Sequence, residues 1–320
     1  MSEILASGPD LVICADWGVD ASKRAVYTAR TGASPSVCRE PGDDWTVVRL
    51  LSLALDMRRE GRVLISFDVP LGLPRAYLDA TRREPRWKHA ASFLQWLAVG
   101  KDPSLFPGEA TDASTWSIVT PFFGVPGVRG GLGGFEVAAG IPIRREIERR
   151  TSGKSVFIVR GIPGSVGSGA RAVWRELAPL LDTDRAFSVW PFEGTLNEIF
   201  GRGKIAIGEI YPRAAYATAL SHVLPARPRA LAKTQRPVRE TAVRDLAGMP
   251  WVAQRGVRLS DQERAIENED DFDAMMTAAA LLRVVMEGYP VSDPSLDDPV
   301  AEGGILCTGT LDFGLNSRKK

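Results

Sequence analysis

The sequence predicts an α/β domain on a mixed sheet: a three-strand meander, a crossover helix and parallel strands, with flanking helices and an irregular middle insertion. Three observations carry this expectation. Two short apolar runs, residues 11–15 and 63–67, each stop at an aspartate, Asp16 and Asp68. Between them lie two further strand-like runs and one helical period, the order that a parallel pairing with a crossover needs. The last strongly periodic segment, 268 to about 286, has the apolar spacing of a helix.

In chain order, 11–15 (LVICA) is a buried-type strand ending at Asp16. Residues 24–30 (RAVYTAR) form a second strand, and the segment around Val37 a third. Asp43 is a candidate helix N-cap, and Val48, Leu51 and Leu55 then recur at helical spacing through Arg59. Residues 63–67 (VLISF) make the next strand, closed by Asp68-Val69-Pro70-Leu71-Gly72, because proline and glycine end ladder pairing. With the helix as crossover, this strand lies parallel to the first. Asp16 and Asp68 then emerge at the same carboxyl edge, where open α/β sheets collect ligands.

The middle, about 75–185, reads as a loop-rich insertion within one domain spanning 1–320. Residues 87–99 look helical, while 122–134 and 161–169 look like loops by their glycine and proline content. Beyond it, 187–190 and 205–210 read as strands, the second carrying Glu209 before Tyr211-Pro212, and 236–247 as a helix. On the last helix Phe272, Met275, Ala279, Leu282 and Met286 share one face, whereas Asp270, Asp273 and Thr277 fall on another. The tail after Pro290, ending in SRKK, is expected to be loose.

Composition narrows the function. The 320 residues are 44% hydrophobic, enough for a proper core. With 40 basic and 39 acidic residues, the net charge of +1 excludes a surface that coats nucleic acid throughout, so any phosphate contact is local. Three widely spaced cysteines fit neither a disulfide framework nor a zinc ribbon and point to a reducing cytoplasm. No apolar stretch approaches the roughly 20 residues of a membrane span, and the N-terminus lacks signal-peptide character. A cytoplasmic protein without a membrane partner is the expectation.

The residues with chemistry are Asp16, Asp68, Glu209, Asp270 and Asp273. Phosphodiester hydrolysis gathers negative charge in the transition state, and two hard cations roughly 4 Å apart can bind the attacking water and the leaving oxygen together. Such ions, Mg2+ or Mn2+, prefer carboxylate and water oxygens. A carboxylate site of this kind needs acids from distant segments rather than a short motif. Each acid alone also has a plainer explanation: turn residues for Asp16 and Asp68, a surface charge for Glu209, helix N-terminal preference for Asp270 and Asp273. Their joint order is what distinguishes them.

The stretches Ala15-Asp16-Trp17-Gly18, Phe67-Asp68-Val69-Pro70-Leu71-Gly72, Val189-Trp190-Pro191-Phe192, Glu209-Ile210-Tyr211-Pro212 and Glu269-Asp270-Asp271-Phe272-Asp273-Ala274 together resemble a family of predicted RNase H-like nucleases, domain of unknown function four-two-nine. The likeness runs from about residue 11 to 312. It implies an RNase H-like sheet and divalent-metal nuclease chemistry, with the family's acidic positions falling on Asp16, Asp68, Glu209, Asp270 and Asp273, and Asp16, Asp68, Asp270 and Asp273 as metal ligands. The arrangement is also similar to Holliday-junction resolvases, in which an acidic pair on the final helix completes the metal site.

A nucleic-acid partner would be held by local basic residues. Lys233, Arg236 and Arg239, within a cluster from Arg227 to Arg244, are the candidate substrate-binding set, and Arg144, Arg145, Arg149, Arg150 and Lys154 form a second cluster. The competing explanation for both is a solvated helix face. Trp87, Trp96 and Trp116 fit a core better than base stacking. Gly153-Lys154-Ser155 fails as a P-loop, Gly201–Ala206 precedes rather than follows a strand, and Gly164–Gly169 lacks the spacing of a nucleophile elbow. Two histidines, His89 and His222, leave little for a zinc site or a Ser-His-Asp triad. The alternatives to a nuclease are an actin-like ATPase or sugar kinase, and a non-catalytic nucleic-acid-binding module.

Overall fold

A computed structural model describes residues 8–125, 131–151, 153–162, 165–181 and 185–314. Strand β1 (Leu11–Trp17) pairs antiparallel with β2 (Arg24–Arg30), which pairs antiparallel with β3 (Ser36–Arg39), closing the meander. Helix α1 (Val47–Met57) then crosses over, and β4 (Val63–Phe67) returns parallel to β1, with Ala15 opposite Phe67. The parallel strand Ile205–Ile210 extends the sheet beyond β4, and both Phe187–Val189 and Ile305–Leu306 pair with its other edge. Arg258–Leu259 adds a parallel edge outside β3. The molecule is thus α/β with a mixed, mostly parallel sheet flanked by helices.

Side-chain alternation sorts the sheet into two cores. Ile13, Ala15, Ile65, Phe67, Ile205 and Ile207 face one side, where Leu50, Leu51 and Ala54 of α1 pack. Val12, Cys14, Leu64, Ala206 and Ile210 face the other, against the final helix, Glu269–Glu287. That helix lies across β1 and β2 and beside the helix Pro212–Leu220. It is buried on nearly every side from Asp271 to Val284, more completely than its single apolar face predicts. No helix among the described residues is long and apolar enough to cross a membrane.

Several local expectations change. Thr46, not Asp43, caps α1, its side chain accepting from Arg49 N–H; Asp43 pairs instead with Arg39 and Arg264. Residues 87–99 are not one helix: a turn at Pro85–Trp87 precedes a short helix, Phe93–Val99, begun by Ser92. Within the middle segment, Glu109–Ala110, Phe122–Gly124 and Ile158–Arg160 form a small parallel sheet. Helices start at Gly131 and at Gly167 inside stretches read as loops, while 126–130 and 163–164 lie outside the described residues. Trp87 and Trp96 stack on each other in the core with centroids 5.7 Å apart, as their composition suggests. The tail is anchored rather than loose: Ile305–Leu306 joins the sheet and Val291, Ala301 and Cys307 are buried, with 315–320 outside the described residues.

Candidate active site

The period of two places the first two acids. Asp16 follows Cys14 and Asp68 follows Ser66 on the side of the sheet that faces the final helix. Parallel pairing brings both to the same edge. Asp68 N–H continues the ladder to Ala15 O at 3.2 Å, and Trp17 N–H donates to Asp68 Oδ1 at 2.9 Å. The Asp68 carboxylate is therefore oriented by β1 itself, against Asp16.

The final helix supplies the other wall. Asn268 caps it, its side-chain oxygen accepting from Asp270 and Asp271 N–H. Asp270 and Asp273, three residues apart, share a face. With Asp16 and Asp68 they line one cavity of about 440 Å³. Asp271, between them, points elsewhere and pairs with Arg39 and Arg264.

The electrostatics of this corner are unfavourable without a ligand. Asp16 is only 8% exposed, and its Oδ2 is buried with no hydrogen-bond partner. When both carboxyls are ionised, Asp16 and Asp68 have no proton to share; when Asp16 is protonated, it hydrogen-bonds Asp68. Burial, then the charges of Asp68 and Asp273, push the Asp16 carboxyl well above the ordinary carboxylate range. Burial likewise pushes Asp270 up to about 6.

Asp273 is fully buried and fully partnered: the Tyr216 hydroxyl donates to Oδ1 and the Lys233 ammonium to Oδ2. Burial raises the Asp273 carboxyl, and Lys233 opposes that rise. Burial alone would weaken Lys233 as a cation, yet Asp273 and Asp16 outweigh it and hold the ammonium above its usual range.

Not every expected residue converges. Glu209 lies level with Phe67 in the register but has the parity of Ile205 and Ile207, so it leaves the sheet on the opposite side. Arg145 binds both its oxygens at 2.7 Å, and Leu71 N–H adds a third bond at 2.8 Å. Glu209 is thus the centre of a buried ion pair, outside the cavity. Arg239 does not reach it either: its guanidinium holds the carbonyls of Lys233, Ile266 and Glu267, bracing the loop that carries Lys233. Arg236 makes an exposed pair with Glu267. Of the three basic candidates only Lys233 lines the cavity, as an internal counter-charge.

The sequence reading missed the wall facing the acids. Ser165, Val166, Ser168 and Gly169 line the cavity at the start of the helix Gly167–Leu181. Its first backbone bond runs from Ala170 N–H to Val166 O, so the N–H groups of Ser168 and Gly169 precede the helical ladder. Gly169 permits the approach: a Cβ there would lie 2.7 Å from Trp17 O. Lys23, Lys154 and Arg213 complete the rim, and none forms an ion pair among the described residues. The signal was present in the glycine–serine stretch 165–169, which is a helix N-terminus rather than a nucleophile elbow.

The donor set suits a hard divalent cation. Among the described residues no three histidine, cysteine or acidic side chains converge as a ready ligand group. Magnesium, however, is commonly held by one or two carboxylates together with water and substrate phosphate. Asp16, with its partnerless oxygen, and Asp68 fit that pattern. Comparison with protein-family models, with curated proteins and with solved structures finds no match.

Proposed function

We propose that this chain is a divalent-metal-dependent nuclease of RNase H-like type, hydrolysing phosphodiester bonds of nucleic acid with Mg2+ or Mn2+ at Asp16 and Asp68. The observation that carries the reading is the buried, partnerless Asp16 Oδ2 opposite Asp68 at the carboxyl edge of two parallel strands. Two carboxylates in that position cost the free protein stability, and a dication repays it. The resemblance of its motif order to the predicted RNase H-like nucleases points to the same reading.

Each wall of the cavity has a part. Asp16 and Asp68 hold the ion, which when bound lends positive charge to the phosphoryl group. Lys23, Lys154 and Arg213 at the rim, with the N–H groups of Ser168 and Gly169, bind and orient phosphate oxygens. Asp270, on the wall of the same cavity and with its carboxyl raised by burial, is placed to take a proton from the attacking water. In the reaction a water oxygen bonds to phosphorus as the ester P–O bond breaks. The departing sugar oxygen takes up a proton and the other product ends in a phosphate monoester.

The test is cleavage of RNA, DNA, RNA–DNA hybrid and branched substrates by the purified protein with Mg2+ or Mn2+. Cleavage that EDTA abolishes is the expected result. No cleavage of any of the four with either ion contradicts the proposal.

A further inference from the structure

The cavity already contains one cation of its own. Lys233 reaches Asp273 Oδ2 while Tyr216 holds Oδ1, so neither oxygen of Asp273 is free to ligate. Asp16 and Asp68 add to the field that holds the ammonium there. The position is built rather than incidental. Arg239 fixes the Lys233 carbonyl at 2.6 Å and, with the same guanidinium, the carbonyls of Ile266 and Glu267 just before the final helix. The lysine and the helix bearing Asp273 are thereby tied to one another.

We infer that Lys233 stands in for a second metal ion, so that the site takes a single divalent cation, at Asp16 and Asp68. This rests on the metal-dependent reading above and replaces the two-ion arrangement expected from the sequence. A second ion on Asp273 Oδ2 would have to expel the ammonium from a fully buried carboxylate whose other oxygen Tyr216 already holds. It would also lie beside a fixed positive charge, and like charges a few ångströms apart in a half-dry site repel strongly. With Asp273 paired to Lys233, the adjacent carboxylates of Asp16 and Asp68 match one dication, and Asp270 is the remaining acid of the cavity. The Asp16 Oδ2, which accepts no hydrogen bond, lies on the side of the cavity where that single ion would be held.

Counting Mn2+ bound per chain, by calorimetry and by the electron-paramagnetic-resonance signal of the free ion, tests this without reference to cleavage. The wild-type protein is expected to bind one Mn2+. Lys233→Met, which frees Asp273, is expected to bind two, and Lys233→Arg, which keeps the charge, one. Two Mn2+ on the wild type overturn the inference while leaving a metal-dependent nuclease intact. One Mn2+ on a folded Lys233→Met protein also overturns it, because the lysine is then not what excludes the second ion. No Mn2+ on the wild type removes the metal reading and this inference with it.

Discussion

Asp16 is where stability and the proposed function oppose each other. Its folded-state proton affinity is raised, so its contribution to stability is fully present below the ordinary carboxylate pKa and is lost as pH climbs through the higher folded value. In metal-free buffer Asp16→Asn should therefore melt like the wild type near pH 4. At pH 8 it should gain about 1–3 kcal/mol, the scale of an unsatisfied buried polar group. Thermal melts across that range in EDTA check the sign; a variant less stable than wild type at pH 8 contradicts it. The same substitution should lower cleavage by about 100-fold or more, the scale of removing one preorganised electrostatic group, and Asp68→Asn should do the same in a single-turnover assay. Glu209→Gln belongs to a different class, because its carboxylate is committed to Arg145 and Leu71 N–H on the far side of the sheet.

At the scale of elements, two placements make the cavity: the crossover α1, which lays β4 parallel to β1, and the helix Gly167–Leu181, whose start presses on Trp17. Gly169→Ala tests the second. A methyl group 2.7 Å from the Trp17 carbonyl oxygen meets backbone that cannot swing aside, and 3.1 Å from Val69 Cγ1 it crowds a side chain as well. Overpacking costs about 1–3 kcal/mol, more than the roughly 1 kcal/mol of helix propensity that alanine returns over glycine. Urea unfolding should show a net loss, and cleavage should fall as the helix start withdraws from the rim. A neutral or stabilising effect would mean that the helix is not packed against the strand end. These elements differ in how legible they are. The meander, crossover and parallel return are written in apolar runs and turn residues, so Asp16 and Asp68 are placed correctly from sequence. The parity of Glu209 depends on register, which the short run 205–210 does not reveal. The acids of the final helix are likewise legible, whereas the engagement of Asp273 depends on Lys233 and Tyr216 arriving from remote segments.

For the molecule as a whole, the middle segment supplies one wall of the cavity and is fastened by a buried charge. Arg145 joins it to Glu209 on the sheet and to the Glu302 carbonyl in the C-terminal region. Arg145→Met leaves Glu209 buried without its partner and should cost about 3–5 kcal/mol, read as a lower denaturant midpoint. A change within about 0.5 kcal/mol would deny the pair that fastening role. Composition gives no sign of this bridge, because Arg145 sits in a basic run indistinguishable from a solvated helix face. The architecture brings carboxylates from the ends of β1 and β4 and from the final helix to one cavity. The most direct test of that account is a crystal soaked in Mn2+ with data collected at the manganese edge. An anomalous peak bridging the Asp16 and Asp68 carboxylates is the result predicted, and the absence of any peak within bonding distance of either would contradict it.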